Sequence, residues 1–334
     1  MKKLLILFIA FALAFSTFAC AKTTDGNNTV LKINEVTHSV FYAPFYVAIE
    51  NGYFLEEGIE IELTNGGGSD ASMAALLSGG ADIALLGPET GIYTSLGGPK
   101  DKPVIFAQLT KRDGSFLMGR MPEEDFSWTG LTGKEIIAGR KGGSPAMSLE
   151  YALNKNGLYN GENVTLNFDV QFNLTTAAFE SGTGDYVTVF EPTASELQRA
   201  GKGHIVASVG KESGEVPFTT FMTRESFLNK NTKIIDKFIT ALFKAFDYIE
   251  KNDAKTIAAA IKNSFPSASD VSLTDSINSY KNIDAWQKDM TMTPEAFERL
   301  KEVMRNANEL DGDVLFDDLV KNERVIKMHE KFVG

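Results

Sequence analysis

The sequence predicts an α/β protein of two lobes, each with a mainly parallel sheet flanked by helices. Short apolar or alternating runs, typical of strands, alternate with stretches of helical periodicity from Val30 to Val209. The order of strand, glycine-rich loop and helix occurs twice, at Gly66–Gly68 and again at Gly142–Gly143. Strands that alternate with helices form parallel sheets covered on both faces, and the repeat indicates two such units.

Residues 1–19 have the order of a secretory signal peptide. Lys2 and Lys3 precede an apolar run from Leu4 to Ala14, and small residues follow. Cys20 stands where the lipobox of bacterial lipoproteins has its diacylated cysteine. We therefore expect lipidation of Cys20, residues 20–29 as a tether, and a place on the extracytoplasmic face of the bacterial cell membrane. The alternative is an ordinary cleaved signal with an incidental cysteine, which gives a secreted or periplasmic protein.

The amino-acid composition excludes several classes of binding partner and site. Cys20 is the single cysteine of the 334 residues, which excludes an internal disulfide and a multi-cysteine metal site. The formal net charge of −11 becomes −13 when residues 1–19 are removed, because Lys2 and Lys3 are the only charged residues among them. Such an acidic surface disfavours nucleic acid and anionic lipid headgroups. We expect a monomer without cofactor or metal.

The first lobe begins with strands predicted at Val30–Val36, Ile59–Leu63, Ile83–Leu86 and Val104–Leu109. The helix after the first strand ends at Asn51-Gly52, because glycine accepts the left-handed conformation at a helix C-terminus. Ser69 or Asp70 can cap the next helix. Gly87-Pro88-Glu89-Thr90 is a turn that opens a third helix.

The second lobe repeats this alternation, with strands predicted at Glu135–Ala138, Val164–Phe168, Tyr186–Phe190 and His204–Val209. We expect Ser144 to cap a helix that has Pro145 at its first position. Two further helices are predicted, over Leu174–Glu180 and Pro192–Ala200.

Two extended runs connect the predicted lobes. Ser115–Arg120 carries the chain out of the first lobe and Pro217–Met222 returns it. Lobe one is thus assigned residues 30–116 and 219–334, and lobe two residues 117–218. From Arg224 onward the period is helical nearly to the end, so this C-terminal region is predicted as helices packed on lobe one.

Four stretches of the chain match one protein family in order and spacing, namely FYVAIENGYFLEEGIEIEL, GGGSDASMAALLSGGADIALLGPETGIY, WTGLTGKEIIAGRKGGSPAMSLEYAL and VFEPTASEL. In them the chain resembles bacterial ABC-importer substrate-binding proteins of the nitrate, sulfonate and taurine branch, which includes thiamine-pyrimidine-precursor binding proteins. The resemblance implies a type II periplasmic-binding fold that closes on a small molecule between its lobes. It also implies a permease and its ATPase as partners, and no enzymatic activity.

The candidate ligand site lies at the strand ends and glycine-rich loops, where helix N-termini and free backbone amides converge. Several candidates also have a structural interpretation: Ser144 in a capped helix, one of Phe41 and Tyr42 in the core, His38 in a solvated turn, and Glu191 as a helix cap. The candidates are His38, Phe41, Tyr42, Gly68, Ser69, Pro88, Glu89, Thr90, Gly143, Ser144, Pro145, Asn173 and Glu191.

Glu89 and Glu191 bear on the charge of the ligand, because each follows a predicted strand end. If both carboxylates face the cleft they disfavour an anion, since burying two carboxylates beside an anion is costly. We therefore expect an amine-bearing heteroaromatic, such as a thiamine-related pyrimidine, ahead of a sulfonate, taurine or nitrate.

Catalysis has little support in the sequence. It contains no Walker A pattern and no glycine fingerprint after the first strand, and its three histidines are scattered. Two alternatives remain open: an enzyme on the same fold that acts on a thiamine precursor, and a surface sensor that works without a permease.

Overall fold

The structure is a computed structural model that describes residues 28–171 and 174–333. The predicted signal peptide, Cys20 and Asn173 lie outside the described residues. The strands are β1 (Thr29–Glu35), β2 (Ile59–Asn65), β3 (Ile83–Leu86), β4 (Pro103–Thr110), β5 (Ser115–Gly119), β6 (Glu135–Ile137), β7 (Thr165–Asn167), β8 (Tyr186–Phe190), β9 (His204–Ser208) and β10 (Thr219–Arg224).

These strands form two five-stranded sheets, ordered β2-β1-β3-β10-β4 and β7-β6-β8-β5-β9. One strand in each sheet runs against its neighbours: β10 is antiparallel to β3 and β4, and β5 is antiparallel to β8 and β9. The remaining pairings are parallel, with Ile33 of β1 opposite Leu63 of β2 and Ile83 of β3. The predicted fold class, with a mainly parallel sheet in each of two lobes, is confirmed.

Helices cover both sheets. They are α1 (Ala43–Glu50), α2 (Tyr53–Glu56), α3 (Ser69–Ser78), α4 (Pro88–Leu96), α5 (Ser144–Lys155), α6 (Thr175–Glu180), α7 (Thr193–Arg199), α8 (Val209–Ser213), α9 (Glu225–Lys230), α10 (Thr232–Lys251), α11 (Ala254–Ala260), α12 (Asp270–Asn282), α13 (Pro294–Asn306), α14 (Phe316–Leu319) and α15 (Glu323–Val333), with 3₁₀ turns at Val40–Tyr42 and Trp128–Leu131.

The longest helix, α10, anchors the main core of lobe one. Its apolar stripe includes Ile235, Phe238 and Leu242, all fully buried, and the helix packs against α1, α2 and α15. Burying a Phe or Leu side chain contributes roughly 1.5–3 kcal/mol relative to leaving it exposed. The predicted helical region therefore does pack on lobe one. Two of its helices also reach lobe two, because α12 contacts α7 and α13 contacts α5.

The chain passes between the sheets twice, at residues 111–114 and 214–218, and the two crossings are bonded to each other. The amide of Val216 donates to the Lys111 carbonyl at 2.9 Å, and that of Phe218 donates to the Thr110 carbonyl at 3.2 Å. Glu215 adds ion pairs to Lys111 at 3.4 Å and to Arg112 at 2.9 Å. The lobes are thus joined by a two-stranded ribbon.

Ser115–Arg120 is not a connecting segment, which corrects the predicted boundary after residue 116. Ser115 pairs with Phe190, and Phe116 pairs with Val189, so both residues belong to the second sheet. The other extended run likewise enters a sheet, because β10 lies between β3 and β4. Only short connections precede β5 and β10, at residues 111–114 and 214–218, so no sequence signal separates the crossing from the strand that follows it.

The predicted caps of two helices are also wrong by one residue. Gly68 occupies the N-cap of α3 and Gly143 that of α5, and neither helix has a side-chain cap hydrogen bond. Ser69 and Ser144 are instead the first helical residues, and Pro145 is the second. The Ser144 hydroxyl is therefore free of a capping role.

Candidate functional site

The carboxyl ends of the parallel strands of the two sheets face each other across the seam between the lobes, and this seam is the candidate cleft. Lobe one presents the loops that follow β1, β2 and β3, and lobe two presents those that follow β6 and β8. Helices α4 and α5 begin in these loops, so their N-termini point to the cleft. Such ends supply unpaired amides and a positive dipole.

Glu89 is a buried carboxylate at this point. It lies in the first turn of α4 and is 3% exposed, and its side chain folds back so closely that a Cβ on Gly87 would lie 2.1 Å from a carboxylate oxygen. Burial raises the pKa of Glu89, and the hydroxyl and amide of Ser144 lower it in part. A carboxylate of lobe one thus lies against the N-terminus of a lobe-two helix.

Two polar atoms at this contact lack a partner of hydrogen-bond geometry. They are Glu89 Oε2 and Ser144 Oγ, both buried. Buried polar atoms in folded proteins are nearly always hydrogen-bonded. The Ser144 hydroxyl lies close enough to lower the pKa of Glu89 but makes no hydrogen bond of good geometry with it, so both atoms retain capacity for a group that enters the cleft. Of the other candidates nearby, Pro88 and Thr90 are also buried in α4, whereas Gly143 and Pro145 are half-buried beside Ser144.

Tyr42 and Phe41 are both buried but have different neighbours. Burial, followed by the charges of Glu35 and Glu89, raises the pKa of Tyr42, so its hydroxyl stays protonated beside the Thr219 side chain. Phe41 is 1% exposed and its ring contacts Phe190, Phe218 and Tyr280. Phe41 is a core residue that joins the lobes, and Tyr42 is the one of the two near the polar contact.

The mouth of the cleft is bridged by side chains from both lobes. Arg140 of lobe two donates to Asp70 at 2.7 Å, next to Gly68 and Ser69, which are both half-buried. Tyr93 of α4 donates to the Gly142 carbonyl at 3.1 Å. The two glycine-rich loops that the sequence singles out therefore lie across the cleft from each other.

Glu191 lies at another contact between the lobes, and its carboxylate is fully engaged. It accepts hydrogen bonds from the amide and hydroxyl of Ser195, at 3.0 and 2.8 Å, and from the Ser279 hydroxyl of α12 at 2.8 Å. Next to it, a polar depression of about 350 Å³ is lined by Ser195, Gln198, Arg199, Ile205, Asp275, Asn278, Ser279 and Asn282. Glu191 thus links α7 to α12 and leaves less capacity for a ligand than Glu89 does.

His38 is exposed in the segment after β1, and both of its ring nitrogens lie on acceptors of this chain. Its Nδ1 lies 2.8 Å from Glu35 Oε1, and its Nε2 lies 2.7 Å from the Ser264 carbonyl oxygen. Both partners are acceptors, which a protonated imidazole satisfies with its two N–H donors. The hydrogen bond to Glu35 raises the pKa of His38. Tyr46 also donates to Glu35, so this carboxylate is compensated without a ligand.

Replacing His38 by Gln should lower the free energy of unfolding most in mildly acidic solution. A histidine pKa raised by folding adds stability that is complete below the unfolded value of about 6.5 and is lost as the pH rises through the folded value. The loss should not exceed about 1 kcal/mol, because His38 is partly exposed and screened. Urea unfolding at about pH 5.5 and about pH 9 measures it. His204→Gln is the control, and a difference that grows with pH would contradict the assignment.

The structure reveals two buried acidic groups that no sequence pattern indicates. Glu35 is the last residue of a strand that alternates regularly, and Asp113 stands in a Lys-Arg-Asp-Gly stretch typical of a solvated turn. In the structure they are 2% and 0% exposed. Among the described residues there is no group of three His, Cys, Asp or Glu side chains that could hold a metal, and no helix is long and apolar enough to cross a membrane.

Two α/β lobes on a paired hinge, with a polar cleft between the strand ends, define the class: this is the two-lobed type II periplasmic-binding fold. The chain belongs to the NMT1-like family, whose family model matches residues 35–263. It is 43% identical over 317 residues to the "Putative binding protein YtlA" of Bacillus subtilis (strain 168), which covers 95% of this chain and 93% of that protein.

Solved structures show the same fold at low sequence identity. The ligand-binding component of an ABC-type import system from Staphylococcus aureus, with zinc bound, is 18% identical, covers 90% of this chain and 99% of its own, and has a TM-score of 0.71. The periplasmic nitrate-binding protein NrtA from Synechocystis PCC 6803 is 14% identical, covers 91% and 89%, and has a TM-score of 0.73. The resemblance inferred from the sequence is confirmed.

Proposed function

We propose that this protein is an extracytoplasmic receptor of an ABC importer that binds a small molecule between its lobes and delivers it to a permease. The family, the relative described as a binding protein and the fold shared with an import component support this proposal. The observation that carries it is the contact of Glu89 with Ser144, where two lobes place unpartnered polar atoms in one buried cleft.

The ligand of this proposal carries an amino or cationic group. In many proteins the N-terminus of a helix binds an anion, but here the Glu89 carboxylate already lies at the N-terminus of α5. Burial already disfavours the ionised form of Glu89. A nitrate or sulfonate would disfavour that form further, whereas a cationic group would stabilise it. An amine-bearing heteroaromatic, such as a thiamine-related pyrimidine, would instead give Glu89 Oε2 a charge-assisted hydrogen bond, with Tyr42 beside it.

Ligand binding drives closure only through a higher affinity for the closed state. In the proposal, the paired crossings bend and the closed form docks on the permease as a monomer. Lipidation of Cys20 would hold the receptor at the membrane, with residues 20–28 as the tether, because Thr29 already begins β1. The site set remains Tyr42, Gly68, Ser69, Pro88, Glu89, Thr90, Gly143, Ser144, Pro145 and Asn173, while His38, Phe41 and Glu191 are given structural roles.

Isothermal titration with 4-amino-5-hydroxymethyl-2-methylpyrimidine, taurine and nitrate tests the proposal. We expect the pyrimidine to bind the wild-type protein, and Glu89→Gln to weaken it by about tenfold or more, because a hydrogen bond to a charged group contributes about 1.5–3 kcal/mol. Glu60→Gln, at an exposed carboxylate of β2, is the control for the change in net charge.

Two results would contradict this assignment. Tighter binding of nitrate or taurine than of the pyrimidine would contradict the expected charge of the ligand. Unchanged pyrimidine binding by Glu89→Gln would show that Glu89 does not contact the ligand. Mass spectrometry of the recovered pyrimidine distinguishes the enzyme alternative, since a receptor returns its ligand unaltered. A receptor without affinity for any permease would favour the sensor alternative.

A further inference from the structure

Asp113 is a second buried carboxylate beside the cleft. It lies in the first crossing, two residues before the start of β5, and is 0% exposed. Its Oδ1 accepts a hydrogen bond from the Ser115 amide at 2.6 Å, whereas Oδ2 has no partner among the described residues. Burial raises the pKa of Asp113 to about 7, and hydrogen bonds from Ser115 and Ser148 lower it in part.

Helix α5 lies beside both Asp113 and Glu89. Ser144 interacts with Glu89, and Ser148 interacts with Asp113. The two serines are four residues apart on one helix, so they lie on the same face, roughly 6 Å apart. Two carboxylates of different origin, one from lobe one and one from the crossing, therefore line the same side of α5 about one helical turn apart.

The surroundings of this pair are rich in oxygen atoms. Glu89 Oε2, Asp113 Oδ2 and Thr110 Oγ1 are buried without a partner of hydrogen-bond geometry, and the hydroxyls of Ser115, Ser144 and Ser148 lie close to the two carboxylates. The cations next in sequence, Lys111 and Arg112, are paired with Glu215 instead. Within residues 28–171 and 174–333, no ion pair joins Glu89 or Asp113 to a lysine or arginine. Buried carboxylates and hydroxyls without partners are complementary to N–H donors.

We propose that the ligand carries two N–H-bearing groups about one helical turn apart, one bound by Glu89 with Ser144 and the other by Asp113 with Ser115 and Ser148. This inference rests on the proposed function and narrows its ligand class from an amine to a two-point amine. A ligand with one such group would leave the second carboxylate buried without compensation. The protein would discriminate between ligands with one and with two N–H-bearing groups because of the free-energy cost of that uncompensated charge.

Two other roles are possible for Asp113, and each has a distinct signature. As a purely structural group it would hold the start of β5 through the Ser115 amide, and its replacement would change stability without changing ligand preference. As a ligand of a bound cation, together with Glu89, it would make the melting temperature depend on that metal and not on amines.

The test compares 4-aminobenzylamine with 4-methylbenzylamine, which differ only in the second amine. We expect wild-type protein to bind the diamine at least tenfold more tightly by isothermal titration. Asp113→Asn, which keeps the shape of the side chain, should reduce that ratio to near one, because it removes the buried charge that 4-methylbenzylamine leaves uncompensated. Asp125→Asn, at an exposed position in lobe two, should keep the wild-type ratio.

Several results would overturn the inference. They are equal binding of both probes by wild-type protein, an unchanged ratio in Asp113→Asn, and a melting temperature that rises with Ca²⁺ or Mg²⁺ chloride but with neither amine. Binding of the aminopyrimidine with no binding of either benzylamine would also reject the two-point arrangement while the proposed function stands. Absence of binding of every probe, the pyrimidine included, would overturn the proposed function itself.

Discussion

Replacing Phe41 by alanine is expected to lower the free energy of unfolding by about 3–5 kcal/mol. The Phe41 ring is fully buried among Phe190 of β8, Phe218 of the second crossing and Tyr280 of α12. These partners come from both lobes and the hinge, so no single element can move to fill the space. Urea unfolding followed by circular dichroism and by tryptophan fluorescence measures the loss.

Phe332→Ala is the matched control, because its ring is 39% exposed on the last helix. Phe332→Ala should lower the free energy of unfolding much less than Phe41→Ala does. In Phe41→Ala we also expect the unfolding midpoints from circular dichroism and from tryptophan fluorescence to differ, because the lost contact joins the two lobes. A loss below about 1 kcal/mol would mean that the surrounding rings close the cavity.

Replacing Gly210 by alanine should also destabilise the protein strongly. A Cβ at this position would lie 2.1 Å from the carbonyl oxygen of Asp113, which is a backbone atom. Backbone cannot yield as the end of a flexible side chain does, so α8 and the first crossing must move apart. Overpacking of this kind costs about 1–3 kcal/mol and occasionally more, and thermal unfolding by calorimetry measures it.

Gly130→Ala is the control for Gly210→Ala, because a Cβ there would meet nothing within 4 Å. It should leave the melting temperature close to that of the wild-type protein. Equal melting temperatures for the two variants would show that α8 is not held tightly against the crossing. The displacement of Asp113 in Gly210→Ala should also disturb any ligand contact of that carboxylate.

The sequence predicts the strands and helices well where local pattern and packing agree. The strand over Ile83–Leu86 has the predicted bounds, and the Gly87 to Thr90 turn opens a helix as expected. The sheet to which β5 belongs could not be predicted, because membership depends on pairing with Phe190 and Ala207, far along the chain. Both helix caps differ because glycine and serine are each acceptable at an N-cap.

Some positions of the candidate site can likewise be predicted from local sequence, and others cannot. Glu89 follows a strand end directly, so topology alone brings it to the cleft. The engagement of Glu191 depends on Ser279, which is 88 residues away in sequence. The pairing of His38 with the Ser264 carbonyl is equally remote, at 226 residues. Asp113 is buried where the two crossings pair and α8 packs against them. No local sequence pattern predicts this pairing or this packing.

The paired crossings have a consequence for how affinity is set. Because the ribbon holds the lobes together, a ligand already bound to one lobe meets the other in an intramolecular step, at an effective concentration of order millimolar or more. Its binding energy is then not consumed in joining two bodies. In the proposed receptor, contacts at the cleft mouth, such as Arg140 with Asp70, would instead set the balance between separated and joined lobes. Changes at that mouth can thus tune the apparent affinity of the receptor without touching any atom that contacts the ligand.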